Sequence, residues 1–243
     1  MKTISKRKRV LYAFIAIVVI LTGASVVTDT PPIVFIGGKP HLVFSGEIDL
    51  NQYEREFSNK DVKALKHMRW VKRIEMWGTE ITDISFLNEM KYLKKIVWVC
   101  DDAYLVDDWT PLSNCKKLVS FMGWIPNISD LSTFKELTNL DFLYVNVNGS
   151  EINDITDVRY LTNLERFCVG GKNITDISSL KCCPKLRYLS LVGTTADADY
   201  SVLLDLPDLN LLFIDKGVLT GSEISALKIK GVNVHENEQS EPE

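Results

Sequence analysis

Apolar residues in the stretch from Ile174 to Leu191 fall at 174, 177, 180, 183, 186, 189 and 191. A spacing of three, repeated and then shortened to two, fits neither an α-helix, whose period is near 3.6, nor a strand, whose period is 2. It predicts a coil that turns every few residues and then straightens into a short strand.

Other segments fall into the same register. Ile81-Thr82-Asp83-Ile84 leads through Leu87, Met90, Leu93 and Ile96 to Trp98, and Ile128-Ser129-Asp130-Leu131 through Phe134, Leu137, Leu140 and Leu143 to Val145. Ile152-Asn153-Asp154-Ile155 leads in the same way to Val169, and looser copies end at Met76, Gly123 and Ile214. One column is aspartate throughout: Asp61, Asp83, Asp108, Asp130, Asp154, Asp176 and Asp199, in steps of 22 to 25 residues. Repetition at that interval predicts a solenoid, in which each coil buries its apolar side only against its neighbours.

The pattern I-x-D-I-x-x-L-x-x-L-x-x-L-x-x-L-x-L resembles the leucine-rich repeat, and within it the short internalin-like subclass of bacterial surface proteins. The resemblance covers roughly residues 48 to 234. It implies an α/β solenoid with a parallel β-sheet on the concave face and short helical or 3-10 turns on the convex face. The chain departs from the family after each strand, where an asparagine usually ties neighbouring coils. Only Asn148 fits there; Thr79, Asp101, Lys172 and Thr194 take the equivalent places.

Ahead of the repeats, residues 1–9 are basic and Val10 to Val27 carry no charge. As a helix that segment would extend about 27 Å against a hydrocarbon core of about 30 Å. Two readings are open: an uncleaved single-pass anchor, or a signal peptide cut near Thr22-Gly23-Ala24-Ser25. Both put the repeats on the extracytoplasmic side, membrane-tethered or secreted, and the first makes the lipid bilayer a partner through residues 10–27. Residues 28–50 read as a linker and an N-terminal cap, with strands at Ile33 to Ile36 and Leu42 to Phe44 around Gly37-Gly38-Lys39-Pro40, and a first solenoid strand at Ile48-Asp49-Leu50. The repeats occupy residues 51–216. Residues 217–234 form a closing cap, with a capping box at Thr220-Gly221-Ser222-Glu223 and Gly231 as helix terminator. Residues 235–243 read as a disordered acidic tail.

Charge is asymmetric. The net −4 includes five bases and no acid in residues 1–27, so the remainder carries 23 bases against 32 acids, or −9. Such an acidic body argues against nucleic acid, which is held by neutralising phosphates.

Catalytic patterns are weak. His41, His67 and His235 show no metal-ligand spacing, and S-x-x-K recurs at Ser113, Ser132, Ser178 and Ser225 as a by-product of the repeat. The expectation is a non-enzymatic chain with no cofactor and no metal. An enzyme centred on His41, Glu47 and His67, and calcium held by the acidic insertion 101–108, are the rival readings. Among the cysteines, Cys115 and Cys183 occupy core positions, Cys168 a strand, and Cys100 and Cys182 turns. The aspartate column is expected to cap backbone N–H groups where each coil begins its turn, at about 0.5–2 kcal/mol each.

Alternation along each strand turns the residues between the apolar ones outward. On the concave face these include Trp77, Val97, Met122, Trp124, Phe142, Tyr144, Tyr188 and Phe213, with Glu75, Val99, Cys168 and Leu211 among them. A stripe of aromatic and apolar groups where a solvated face would be charged predicts a binding surface. The resemblance implies a protein partner, with a glycan as the alternative ligand and a structural spacer as the alternative role.

Overall fold

The computed structural model describes residues 33–51, 57–77, 80–99, 106, 108–125, 127–145 and 151–237. The period of three has a direct cause. In the coil that ends at Leu191, the N–H of Leu180 donates to the carbonyl of Ile177, that of Cys183 to Leu180 and that of Leu186 to Cys183, at 2.8–3.1 Å. Ile84, Leu87, Met90 and Leu93 repeat the chain of bonds. Bonds from residue i+3 to residue i wind three residues per turn, so every third side chain points to the same side, into the core. The turns are accordingly short 3-10 helices: Lys63–His67, Ser85–Glu89, Thr110–Asn114, Ser132–Phe134, Thr156–Tyr160 and Ser178–Cys182. Among the described residues regular α-helix is confined to α1 (Asn59–Val62), α2 (Val202–Asp205) and α3 (Gly221–Lys230).

Each turn leads to a strand. After the hairpin β1 (Ile33–Ile36) and β2 (Lys39–Leu42) come β3 (Glu47–Asp49), β4 (Arg73–Trp77), β5 (Lys95–Val99), β6 (Ser120–Gly123) and β7 (Phe142–Val145). Then follow β8 (Arg166–Ile174), β9 (Tyr188–Thr194), β10 (Leu211–Asp215) and β11 (Asn233–Asn237). Strands β3 to β11 form one nine-stranded sheet in sequence order, every pair parallel. The core lies between sheet and turns and runs unbroken from Val34 to Val232.

The first coil is covered by the hairpin, which packs β1 on the Lys63–His67 turn and buries Val34 and Ile36. Its strands differ from expectation. Gly37 and Gly38 alone make the turn, at φ of 57° and 79°, so the second strand begins at Lys39 rather than Leu42. Likewise β3 starts one residue before the expected Ile48.

At the far end α3 is capped as the sequence pattern suggests, with the Glu223 N–H donating to Thr220 Oγ1 at 3.3 Å and Gly231 left-handed at φ 97°. The last strand runs further than expected. Residues His235, Glu236 and Asn237 pair with Phe213, Ile214 and Asp215, so the first three residues assigned to a disordered tail are sheet. The edge of β10 supplies their backbone partners, a tertiary contact that local polarity does not reveal. Among the described residues no helix is long and apolar enough to cross a membrane, and residues 10–27 lie outside them.

Candidate functional site: the concave sheet

Register fixes which side chains stand beside one another. One concave row runs Glu47, Arg73, Lys95, Ser120, Phe142, Arg166, Tyr188, Leu211 and Asn233. The next runs Asp49, Glu75, Val97, Met122, Tyr144, Cys168, Ser190, Phe213 and His235. The face therefore has two halves. On β3 to β5 it is charged, with Arg73 Nε donating to Glu75 Oε1 at 2.9 Å and Lys95 beside them. From β7 to β11 it is aromatic.

The aromatic half is held by contacts between neighbouring strands. The Arg166 guanidinium lies 4.4 Å from the centre of the Phe142 ring. Tyr188 and Phe213 are 5.5 Å apart, and Phe213 stacks on His235 at 4.8 Å. Tyr144 and Tyr188 flank the Cys168 thiol, which burial pushes up to about 11 against the opposing effect of a hydrogen bond with Tyr188. Burial, with Cys168 adding to it, also raises both tyrosine hydroxyls above their ordinary value. These groups are uncharged at neutral pH, which suits a surface that loses water on binding.

Of the residues expected on this face, Met122, Phe142, Tyr144, Tyr188 and Phe213 are half-buried on it, and Trp124 is exposed just beyond β6. Val97 lies in the same row but is only 6% exposed, closed in between Glu75 and Met122. Trp77 ends β4, in register with Val99 and three strands from β7. Arg166, His235, Asp49 and Lys95 belong to the face and were not among the expected residues. All four stand in register with expected ones, and the signal that finds them is position within each strand rather than apolar character.

The aspartates divide. Asp83, Asp108, Asp130, Asp154, Asp176 and Asp199 each accept the N–H of the residue two further on, at 2.7–2.9 Å. That residue is Ser or Thr in every case and opens the turn in five of them. Hydrogen bonds from the Ser or Thr side chain, then from its backbone N–H, hold Asp83, Asp108, Asp176 and Asp199 below the usual carboxylate range. Asp61 differs: it lies inside α1 and accepts from the N–H and Oγ of Ser58, three residues before it. Two asparagines ahead of the strands tie neighbouring coils. Asn139 Nδ2 donates to the Lys116 carbonyl at 2.8 Å and Asn163 Nδ2 to the Thr138 carbonyl at 2.9 Å.

His67 lines a cavity beside β1 that neither His41 nor Glu47 shares. Burial, then Lys39, holds His41 below its ordinary value. A cavity of about 480 Å³ between the first two coils is lined by turn residues such as Asn59, Lys63, Asp83 and Phe86, away from the sheet. Among the described residues no cluster of His, Cys, Asp or Glu has a metal-binding arrangement; most of the insertion 101–108 lies outside them. Cys115, Cys168, Cys182 and Cys183 are unbridged, and Cys100 lies outside the described residues.

No family model and no curated protein sequence matches the chain. Solved structures do. An internalin (inlF) from Listeria monocytogenes is 26% identical, with a TM-score of 0.59 over 72% of this chain and 49% of its own. Internalin C2 from the same species is 20% identical, with a TM-score of 0.51 over 66% of this chain and 76% of its own. The chain thus spans about half the length of the first of these. With the stacked parallel strands and 3-10 turns, they identify the fold as a leucine-rich-repeat solenoid of internalin-like form.

Proposed function

We propose that this chain is a non-enzymatic protein-interaction module, displayed outside the cytoplasm, that holds a protein partner on the aromatic half of its concave sheet. The observation that carries the reading is the side-by-side placement of Phe142, Arg166 and Tyr188, with Tyr144, Phe213 and His235 in the adjoining row. Aromatic and arginine side chains dominate binding energy at protein interfaces, and here the sheet fixes them before any partner arrives. A rigid face loses little conformational freedom on binding. The charged half on β3 to β5 supplies selectivity, since a partner must answer Arg73, Glu75 and Lys95 as well. The internalin-like fold favours this reading by analogy. Display rests on residues 10–27 as a membrane anchor, or on their removal as a signal peptide.

The test uses residues 28–243 as bait against envelope and secreted proteins, beside a Tyr188→Asp/Phe213→Asp variant whose folding is checked by circular dichroism. A protein retained by the unaltered bait and lost by the variant supports the reading. Equal recovery from a folded variant would move the site off this face. Retention of an oligosaccharide rather than a protein would point to a glycan ligand.

A further inference from the structure

Ten large apolar side chains are exposed among the described residues, and six of them lie at one end of the solenoid: Ile33, Phe35, Leu42, Phe44, Trp70 and Tyr92. The hairpin pairs Ile33 with Leu42 and Phe35 with Pro40. Directly paired residues share a face, so these four project away from the buried Val34 and Ile36 and off the end of the molecule. Phe35 is 64% exposed. Next to the hairpin, Phe44, Trp70, Tyr92 and Lys72 line a shallow cavity of about 290 Å³, with the Trp70 and Tyr92 rings stacked at 5.0 Å. The Lys117 ammonium sits 4.2 Å from the centre of the Tyr92 ring. On the hairpin's other side Ile33 and Phe35 border Lys60, Lys63 and Lys66.

Charge differs at the same end. Residues 28–73 carry eight Lys and Arg against six acids, or +2, whereas residues 74–243 carry 15 against 26, or −11. Apolar and aromatic tips within a ring of lysines are what an interface between water and an anionic bilayer selects: rings settle at headgroup depth and ammonium groups meet lipid phosphates.

We propose that this end of the solenoid docks on an anionic lipid bilayer, with Phe35, Leu42, Phe44 and Trp70 entering the headgroup layer and Lys60, Lys63, Lys66 and Lys72 contacting phosphates. The proposal builds on the anchor reading of residues 10–27, because the six steps from Val27 to Ile33 reach at most about 22 Å and hold the hairpin near the surface the anchor leaves. Docking by its first coil stands the solenoid upright. At about 4.8 Å per strand, the aromatic half of the concave sheet is then carried about 20 to 40 Å from the membrane.

Residues 28–243 contain the buried core found among the described residues, Val34 to Val232, and are the form to test. Their binding to sedimented vesicles of phosphatidylcholine with and without phosphatidylglycerol is compared with that of Phe35→Ser/Phe44→Ser and Lys60→Glu/Lys63→Glu/Lys66→Glu variants. All five side chains are exposed, so both variants should keep the native circular dichroism and thermal midpoint. Expected are binding that needs phosphatidylglycerol and weakens with salt, and a loss of about tenfold or more in each folded variant. Absence of vesicle binding, or binding that neither variant reduces, overturns the docking surface. The anchor reading is scored separately: extraction of the full chain from membranes by alkaline carbonate would overturn that reading, and vesicle binding by residues 28–243 would still stand.

Discussion

The ring of Phe213 lies flat on that of His235, 4.8 Å apart with planes at 13°, and so ties the last strand of the sheet to the aromatic half of the concave face. The backbone pairing of β10 with β11 sets this stack, since Phe213 and His235 are partners in register. Replacing His235 with Ala should cost about 0.5–1.5 kcal/mol, the worth of an aromatic pair beyond its burial. Urea unfolding of the two proteins measures it. Ending the chain at Val234 should cost more, because Lys216 also loses the carbonyl of Asn237, 2.9 Å away. An unchanged midpoint in both variants would mean that β11 contributes nothing beyond Val234.

The aspartates that stand just ahead of the turns give the fold an acid limit. Asp83, Asp108, Asp176 and Asp199 sit below the ordinary carboxylate value, held there first by the hydroxyl of the Ser or Thr two residues on and then by its N–H. A carboxylate whose folded value is depressed contributes its stability above its unfolded value, near 3.9. That contribution is lost as pH falls through the lower folded values. The thermal midpoint should hold down to about pH 5 and drop steeply below about pH 4. Asp176→Asn keeps an acceptor oxygen and removes the titration, so its midpoint should change less with acid than the parent's. Asp176→Ala should lose about 1 kcal/mol at neutral pH. A midpoint that does not move between pH 6 and pH 3 would remove the turns from any account of acid stability.

The architecture was legible because one local rule makes it. Bonds from residue i+3 to residue i oblige Ile84, Leu87, Met90 and Leu93 to share a side, and that obligation is written in the spacing. The partner of Asp176 is also local: it accepts the N–H of Ser178, two residues on. What escaped depends on neighbours far along the chain. Arg166 joins the face because β8 lies beside β7 and β9, and His235 because β10 offers an edge. Val97 is closed in by residues 22 and 25 positions away, Glu75 and Met122. Asp61 occupies the repeat's aspartate column yet acts differently, because α1 already runs through it before the 3-10 turn begins at Lys63, and its partner is Ser58, three residues before it.

Two glycines with nearly the same φ should respond differently to a methyl group. Gly193 and Gly217 have φ of 77° and 81°, a region that costs other residues about 1–2 kcal/mol. At Gly217 nothing stands within 4 Å of an added Cβ, so Gly217→Ala should lose only that amount. At Gly193 the added Cβ would lie 1.8 Å from the carbonyl oxygen of Gly171 on β8, a backbone atom that moves only with its strand. The N–H of Gly193 also donates to the buried Asp215 carboxylate at 2.7 Å, and a shift of this end of β9 would break that bond. Gly193→Ala should therefore lose more than about 3 kcal/mol, steric conflict added to strain. Denaturant midpoints decide it, and equal losses at the two sites would mean that β8 yields freely.

The cysteines should separate by burial when challenged with an alkylating reagent. Burial pushes the thiols of Cys115 and Cys183 up to about 12 and that of Cys168 to about 11, so almost none of the reactive thiolate is present at pH 8. Cys115 and Cys183 also point their sulfur at core carbonyls, 3.7 Å from Leu87 and 3.5 Å from Val158. Cys182, next in sequence to Cys183, is half-buried on the turn side and open to reagent. Iodoacetamide at pH 8 followed by peptide mass analysis should find Cys182 modified within minutes and Cys115, Cys168 and Cys183 intact until urea is added. Cys168 is the informative site, since it lies on the concave face between Tyr144 and Tyr188 rather than in the core. Its protection should persist in the native protein and weaken in a Tyr188→Ala variant that remains folded, because that side chain lies against the sulfur and hydrogen-bonds it. Rapid modification of Cys168 in the unaltered protein would show that the aromatic half opens on its own, and the preformed binding face would have to be given up.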